Sequence, residues 1–130
     1  MPISHEYRSD DGILYSRAKG VISAEEGLES HRRVAGFLER HSDLKLVADM
    51  REGEVAASPT GVLELMEAFF AIVGPRVPVA FVVREEPSDP NPMLAQTQAY
   101  IEGARMRSFS REGDAVAWLK AGAPQAWPAP

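Results

Sequence analysis

The sequence predicts an α/β fold with a five-stranded mixed sheet and four helices, in the order β-β-α-β-α-β-α-β-α. Three observations carry this prediction. Apolar runs alternate with amphipathic helical segments, which is typical of parallel strands joined by right-handed crossovers. The pair Asp11-Gly12 lies between two alternating segments and predicts an antiparallel hairpin. The apolar run 44–50 contains Asp49 and predicts the central strand of the sheet.

The length and composition are those of one ordinary globular domain. The chain has 130 residues, of which 45% are hydrophobic and 25% charged, so it can bury one core. A formal net charge of −5 argues against binding to nucleic acid or to an anionic membrane surface, because both need an excess of positive charge. No apolar run reaches the roughly 20 residues of a membrane span, and no signal peptide is visible. We therefore expect a cytoplasmic, bacterial protein.

The sequence lacks the residues and motifs that usually bind metals or other cofactors. Cysteine is absent, which excludes disulfides, thiolate zinc sites and cysteine nucleophiles. The three histidines, His5, His31 and His41, lack the spacing of metal ligands. No glycine-rich phosphate loop or nucleophile elbow appears. We expect no metal and no other cofactor.

Nine elements follow one another, with turn or capping residues between them. The strands are expected at 3–8, 13–19, 44–50, 77–83 and 105–109. The four helices are expected to follow the N-cap residues Ser23, Ser58, Asn91 and Ser110. The polar segment 51–57 is predicted to be the loop after the central strand. Residues 1–122 form the predicted domain, and 123–130 are predicted to be a flexible Pro/Ala tail that carries Trp127.

The second helix carries more apolar surface than one buried face needs. Its narrow polar stripe consists of Thr60, Glu64, Glu67 and Ala71. Two interpretations are open. The sheet and the neighbouring helices bury all of the apolar surface, or Leu65 and Ile72 mark a partner surface or the mouth of an apolar pocket. The residues expected at such a surface or pocket are Leu65, Met66, Phe69, Phe70 and Ile72.

A charged cluster lies at the end of the predicted central strand. Asp49 and Arg51 are followed by Glu52 and Glu54, which places carboxylates near a guanidinium. The cluster indicates either an acid–base or anion site or a solvated loop whose ion pairs add little stability. We favour the solvated loop, because the sequence ties no histidine or nucleophile to the cluster.

Two hydroxyl residues open the second helix. Ser58 could carry a phosphate, whose charge suits a helix N-terminus, or it could be an ordinary N-cap worth about 1 kcal/mol. We favour the N-cap, with Thr60 as the next hydroxyl. His31 lies among apolar residues of the first helix and is interpreted as a core or border residue rather than a ligand. The arginines around the last strand are interpreted as charges that protect a sheet edge: Arg105, Arg107 and Arg111.

Several of these segments resemble the STAS-like, or anti-sigma-factor-antagonist (SpoIIAA-like), families. The resemblance rests on 20–23 with Glu26, on 46–51, on 79–83, and on Phe109 with 115–119. It covers about residues 3–122 and implies a right-handed β/α superhelix that works by protein contact rather than by turnover. In the antagonists a kinase phosphorylates a serine at the start of the second helix. Ser58 is the only serine there in this chain, and the acidic-serine pair of the antagonists is absent.

These observations predict a non-catalytic regulatory or protein-interaction domain. It is expected to form a homodimer through the second helix and the loop before it. The alternative is a binding or carrier protein for a small apolar ligand or lipid, as some relatives are, with a pocket lined by Met66, Phe69, Phe70 and Phe81. An enzyme is the third possibility, and it requires Asp49, Arg51 and Glu54 to converge on a cleft.

Overall fold

The computed structural model of the chain describes residues 2–84 and 103–124. The strands are β1 (Ile3–Arg8), β2 (Ile13–Ser23), β3 (Lys45–Ala56), β4 (Val79–Val82) and β5 (Met106–Phe109). The helices of the described ranges are α1 (Ala24–Arg40), α2 (Pro59–Val73) and α3 (Glu112–Lys120). The strands form one sheet in the order β1-β2-β3-β4-β5, in which β1 is antiparallel to β2 and every later pair is parallel. The α/β class and the five-stranded mixed sheet are therefore confirmed.

Two sequence predictions fall outside the described residues. One is the helix expected to begin after Asn91, so the described chain contains three of the four predicted helices. The other is the position of Trp127 in the predicted tail.

The opening hairpin has the turn that its Asp-Gly pair predicts. Asp11 Oδ1 accepts a hydrogen bond of 3.1 Å from the Ile13 amide, and the Gly12 amide donates to Arg8 O at 2.9 Å. Gly12 has a φ of 69°, a left-handed conformation that a side chain would disfavour. This turn brings β1 back along β2 and makes the hairpin the antiparallel edge of the sheet.

β2 and β3 are both longer than predicted. The expectation that 51–57 form a loop is wrong, because β3 runs through Ala56. The reason lies in β2, whose residues 19–23 continue as a strand and pair in parallel with 52–56. Backbone pairing between the two segments outweighs the polar composition, since strand preference depends more on neighbours than on the residue itself.

The extension of β2 and β3 begins at an irregularity. The register shifts between Arg17 and Lys19, which is the mark of a β-bulge. Gly53 pairs in register with Gly20 just beyond this point, and a Cβ added to Gly53 would be 2.7 Å from the Ala18 Cβ. The absence of a side chain at Gly53 therefore allows the two strands to pair closely beyond the bulge.

The helices cover the sheet on opposite faces. α1 and α2 pack on one face, called here the α1/α2 face, whose core includes Leu14, Val34, Leu46, Phe70 and Val79. α3 packs on the other, called the α3 face, whose core includes Ile13, Val47, Val82, Trp118 and Leu119. Successive residues of a strand point to opposite faces, so the near-continuous apolar runs of the sequence serve both cores.

The first two helices begin at the predicted caps. Ser23 and Glu26 form a capping box, with hydrogen bonds of 3.1 and 2.9 Å between each side chain and the backbone amide of the other residue. Ser58 Oγ accepts from the Gly61 amide at 3.1 Å. None of the described helices is long and apolar enough to cross a membrane.

α3 does not begin as predicted. Ser110 is not its cap, because the helix starts at Glu112 and Arg111 occupies the N-cap position without a side-chain bond. At its other end Trp118 Nε1 donates to Pro124 O at 2.9 Å. Ala123 is buried in the same core, so the first residues of the predicted tail pack on the α3 face.

Candidate functional site

Helix α2 is buried on more than one side. Its buried residues are Val62, Phe69, Phe70 and Val73. Its predicted polar stripe is exposed, and consists of Thr60, Glu64, Glu67 and Ala71. Leu65 and Ile72 are half-buried. The exposed large apolar side chains of the described ranges, Val21 and Leu28, lie on β2 and α1 rather than on α2.

A cavity of about 140 Å³ lies between the α1/α2 face of the sheet and the two helices, and it opens to solvent. Four of the residues that the sequence proposed for an apolar pocket line it: Leu65, Met66, Phe69 and Phe81. Phe70 and Ile72 do not. Phe70 belongs to the closed core beneath α2, and Ile72 is half-buried elsewhere on the helix.

Small side chains create this cavity. Ser16 on β2, Ala48 on β3 and Phe81 on β4 are partners in register and form a row across its floor, and the first two are small. Above them, α1 contributes Gly27, where an added Cβ would be 3.3 Å from Leu65 Cδ2. Larger residues at these positions would close the space, because protein interiors normally leave few voids.

The polar lining residues of the cavity are Ser16, Ser30 and His31. Ser16 pairs in register with His5 of β1, and His5 Nε2 is 2.9 Å from Ser30 Oγ, so Ser16 and Ser30 lie on the β1 side of the cavity, called here its polar end, and His31 follows Ser30 in the chain. The Ser16 side chain makes no hydrogen bond within residues 2–84 and 103–124, so its hydroxyl is available to a molecule in the cavity.

His31 is a neutral imidazole at this end. Burial lowers its pKa from the ordinary value of 6.5 to about 4. Its ring packs on Phe69 with 5.4 Å between the centroids, and its buried Nδ1 has no hydrogen-bond partner in the described chain. A neutral imidazole carries one donor and one acceptor, so His31 can bind a neutral polar group but does not offer a charge.

The cavity has no charged lining among the described residues. Its remaining walls are aliphatic, aromatic or sulfur-containing side chains, such as Ile22, Met50 and Val55 from the extended strands. A charged molecule would lose its hydration there without gaining a counter-ion. Apart from Ser16, Ser30 and His31, the described lining is therefore apolar, and it is uncharged.

The charged cluster of the central strand lies on the α3 face of the sheet. Asp49 is buried and accepts hydrogen bonds from Arg51 Nη2 at 2.8 Å and from Arg17 Nη1 at 3.1 Å. Arg17 Nη1 also donates to Glu112 Oε1 at 2.6 Å, at the first residue of α3. The cluster thus joins β2, β3 and α3.

The electrostatics of the cluster do not favour catalysis. Burial raises the pKa of the Asp49 carboxyl, but the hydrogen bonds from Arg51 and the charge of Arg17 outweigh it, so this pKa lies below its ordinary value. A general base near neutral pH needs a raised carboxyl pKa. Glu52 and Glu54 are exposed on β3, and no hydrogen bond or ion pair joins either to Asp49 within the described ranges. The geometry indicates a structural ion pair.

The remaining candidate residues are separate from both sites. Ser58 is exposed and acts as the N-cap of α2, and Thr60 is exposed one residue after Pro59. β5 is an edge strand of the described sheet, as the arginine pattern predicts, and Arg105 donates to Gly122 O at 2.7 Å. Across residues 2–84 and 103–124, no three His, Cys, Asp or Glu side chains come together as a metal site.

Sequence reasoning missed several residues of these sites. Arg17 alternates with Ile13 and Tyr15, which places it on the same face of β2 and is a usable signal. Glu112 gives no such signal, because it lies 95 residues away from its partner Arg17. Ser16 and Ala48 are ordinary strand residues by sequence, and only their pairing shows that they form a floor.

Comparison with solved structures identifies the fold as SpoIIAA-like. An uncharacterized protein of the DUF3478 family from Shewanella loihica PV-4, with a SpoIIAA-like fold, is 18% identical over 90% of this chain and 91% of its own, with a TM-score of 0.65. An anti-sigma factor antagonist from Mycobacterium paratuberculosis is 18% identical over 91% and 94%, with a TM-score of 0.61. The anti-sigma factor antagonist SpoIIAA in its unphosphorylated form is 12% identical over 91% and 97%, with a TM-score of 0.54.

These identities are low, so they show the fold and not the activity. No protein-family model and no curated protein matches the chain. The resemblance that the sequence carries is confirmed at the level of the fold.

Proposed function

We propose that this domain of SpoIIAA-like fold is a non-catalytic regulatory protein that binds a small apolar ligand in the cavity beneath α2. The observation that carries the proposal is the cavity of about 140 Å³ with small residues across its floor and roof. The proposal takes up the apolar-ligand alternative that the sequence offers.

The cavity is open to solvent, so its apolar walls face water when no ligand covers them. A single leucine in place of Ala48 would remove much of that space, because Ala48 lies in the middle of the floor. A ligand that fills the cavity removes these apolar walls from water, so the domain is stabilised when it is bound.

The regulatory part of the proposal is supported by the shared fold. Two of the similar structures are anti-sigma factor antagonists. By analogy with these proteins of the same fold, we propose that this chain acts by contact with a protein partner. Its cavity touches Leu65 and Met66 of α2, so an occupied cavity would change how this helix packs and what surface it presents. We also propose that the protein is cytoplasmic, that residues 1–122 form a single domain, and that its parallel strands are joined by right-handed crossovers.

The test is native mass spectrometry of the gently purified chain, followed by titration with a fluorescent fatty-acid probe. We expect extra mass that leaves on denaturation, and saturable probe binding that Ala48→Leu abolishes. Ala71→Leu is the matched control, because Ala71 is exposed on the opposite side of α2, and it should bind the probe normally. A chain without extra mass that also fails to bind the probe would contradict the ligand proposal.

Self-association through α2 is the second candidate. It is favoured by Leu65 and Ile72, which remain half-buried in the single chain and could be covered further by a second copy. Ile72→Glu should then convert a dimer to a monomer in light-scattering measurements of mass. Phe69 is unsuitable for this test because it is buried in the core. Val21→Glu, an exposed position on β2, serves as the control. A parent chain that is already a monomer would contradict this candidate.

A further inference from the structure

We infer that the cavity beneath α2 takes an uncharged molecule the size of one six-membered ring that carries a single hydroxyl or carbonyl group, bound at His31 and Ser16. This inference rests on the proposed function and deepens it by naming the class of ligand. Three features of the cavity lead to it: its volume, its lack of charged lining residues and the grouping of its polar residues next to β1.

The volume sets the size of the ligand. The space is about 140 Å³. An engineered cavity of about 150 Å³ in another protein binds benzene, which gives a scale for one ring. A long acyl chain is larger than the space, so only its methyl end could enter, and a fatty acid would keep its carboxylate in solvent at the open side of the cavity. The best match in size is therefore a single ring or a short branched chain.

The lining sets the charge of the ligand. The cavity contains neither an acidic nor a basic side chain among its described residues. A neighbouring space shares Ile3 and Ser30 with this cavity and is lined by Glu26, Glu29 and Arg33, but none of these three charged residues lines the cavity itself. A carboxylate or an ammonium group would enter without a partner and lose its hydration. The cavity therefore selects uncharged molecules over their ionised analogues.

The polar end determines which functional group the ligand carries. Ser30 already shares a hydrogen bond with His5, so Ser16 and His31 are the polar groups of the lining whose full hydrogen-bonding capacity is open to a ligand. Each of these two residues can donate or accept a hydrogen bond, because a hydroxyl rotates and a neutral imidazole has one N–H donor and one acceptor nitrogen. Phe69 packs beside His31 and supplies an aromatic wall next to this end. A ring with one hydroxyl or carbonyl group satisfies the polar end and fills the apolar remainder.

The test compares benzene, phenol and benzoate, which share one ring and differ in a single group. Binding to the full chain is measured by NMR chemical-shift titration. Phenol should bind about tenfold more tightly than benzene, because one buried hydrogen bond is gained. Benzoate should bind at least about tenfold more weakly than phenol, because its charge is unpaired. Shifts should map to residues of the cavity such as Ala48 and Met66.

Two variants assign the polar group. His31→Phe keeps a ring and removes the hydrogen bond, so phenol should weaken about tenfold to the level of benzene while benzene is unchanged. Ser16→Ala should weaken phenol severalfold. Ser42→Ala, at an exposed loop serine, is the matched control and should change nothing. If His31→Phe does not fold, the order of the three ligands on the parent chain decides the question alone.

The outcomes separate this inference from the proposed function. Equal binding of benzene and phenol, or binding of benzoate as tight as that of phenol, overturns the inference and leaves an apolar-ligand protein. Binding of the fatty-acid probe without any of the three ring compounds also overturns the inference alone. Failure of the ring compounds and of the fatty-acid probe together overturns both.

Discussion

Arg17 and Asp49 are joined across β2 and β3 by a hydrogen bond of 3.1 Å between Arg17 Nη1 and Asp49 Oδ2. The same guanidinium reaches Glu112 Oε1 at 2.6 Å, and the same carboxylate accepts from Arg51 Nη2 at 2.8 Å. Acidic and basic side chains alternate along the cluster, so each charged group contacts a group of opposite charge. It connects the sheet to the start of α3 on the face away from the cavity.

Removal of Asp49 should destabilise the fold. Asp49→Ala leaves Arg17 and Arg51 facing each other without their shared carboxylate, so we expect the free energy of unfolding to fall by about 2–3 kcal/mol. Urea denaturation monitored by circular dichroism measures this change. Arg32→Ala is the control, because it breaks an exposed ion pair with Glu29 and should cost less than about 0.5 kcal/mol. Equal effects of the two variants would show that the cluster adds nothing beyond surface pairing.

Two alanines on neighbouring strands differ in the space beside them, which a pair of substitutions can measure. Ala48 lies on the cavity floor and Ala80 in the closed core of the α3 face. Ala48→Leu should leave stability unchanged or raise the melting temperature, because the new side chain fills existing space. Ala80→Leu should lower the free energy of unfolding by about 1–3 kcal/mol through overpacking. Thermal unfolding of the ligand-free chain distinguishes them, and equal losses would mean that the cavity is closed.

Stability should depend on pH through His31. Its pKa in the folded chain is about 4, below the ordinary 6.5, so the unfolded chain binds the proton more tightly. The stability that depends on a neutral His31 is therefore fully present above pH 6.5, and it is lost as the pH falls toward 4 and the unfolded chain takes up the proton. The urea midpoint should decline over this window, and His31→Phe should reduce the decline.

Part of the decline should remain in His31→Phe, because burial and the charge of Arg33 also lower the pKa of His5. His5→Phe combined with His31→Phe should remove most of it. A midpoint that is independent of pH in the parent chain over this window would contradict the assignment.

A glycine pair tests the close approach of β2 and β3. Gly53→Ala places a methyl 2.7 Å from the Ala18 Cβ and should lower the free energy of unfolding by about 1–3 kcal/mol. Gly113→Ala, in α3 where an added Cβ meets nothing within 4 Å, should be neutral or stabilising by up to about 1 kcal/mol. Chemical denaturation of both variants gives the comparison, and a neutral Gly53→Ala would mean that the strands can separate at the bulge.

The sequence by itself determined the class of the fold and the positions of α1 and α2. The capping residues Ser23 and Ser58 are predictable from a few neighbouring residues, and both lie at the N-termini of their helices as expected. The continuous apolar runs identified β3 and β4 as buried strands. These features are predictable because hydrogen bonding and periodicity within one segment depend on residues close together in the chain.

Only the tertiary structure decided how far β2 and β3 extend and where the sites lie. The pairing of 19–23 with 52–56 turned a polar segment into strand, and the contact of Arg17 with Glu112 spans 95 residues. The cavity is the space left when Ser16 and Ala48 come under α1 and α2. A small residue has no signature of its own in sequence, because the space beside it depends on which neighbours the fold brings there.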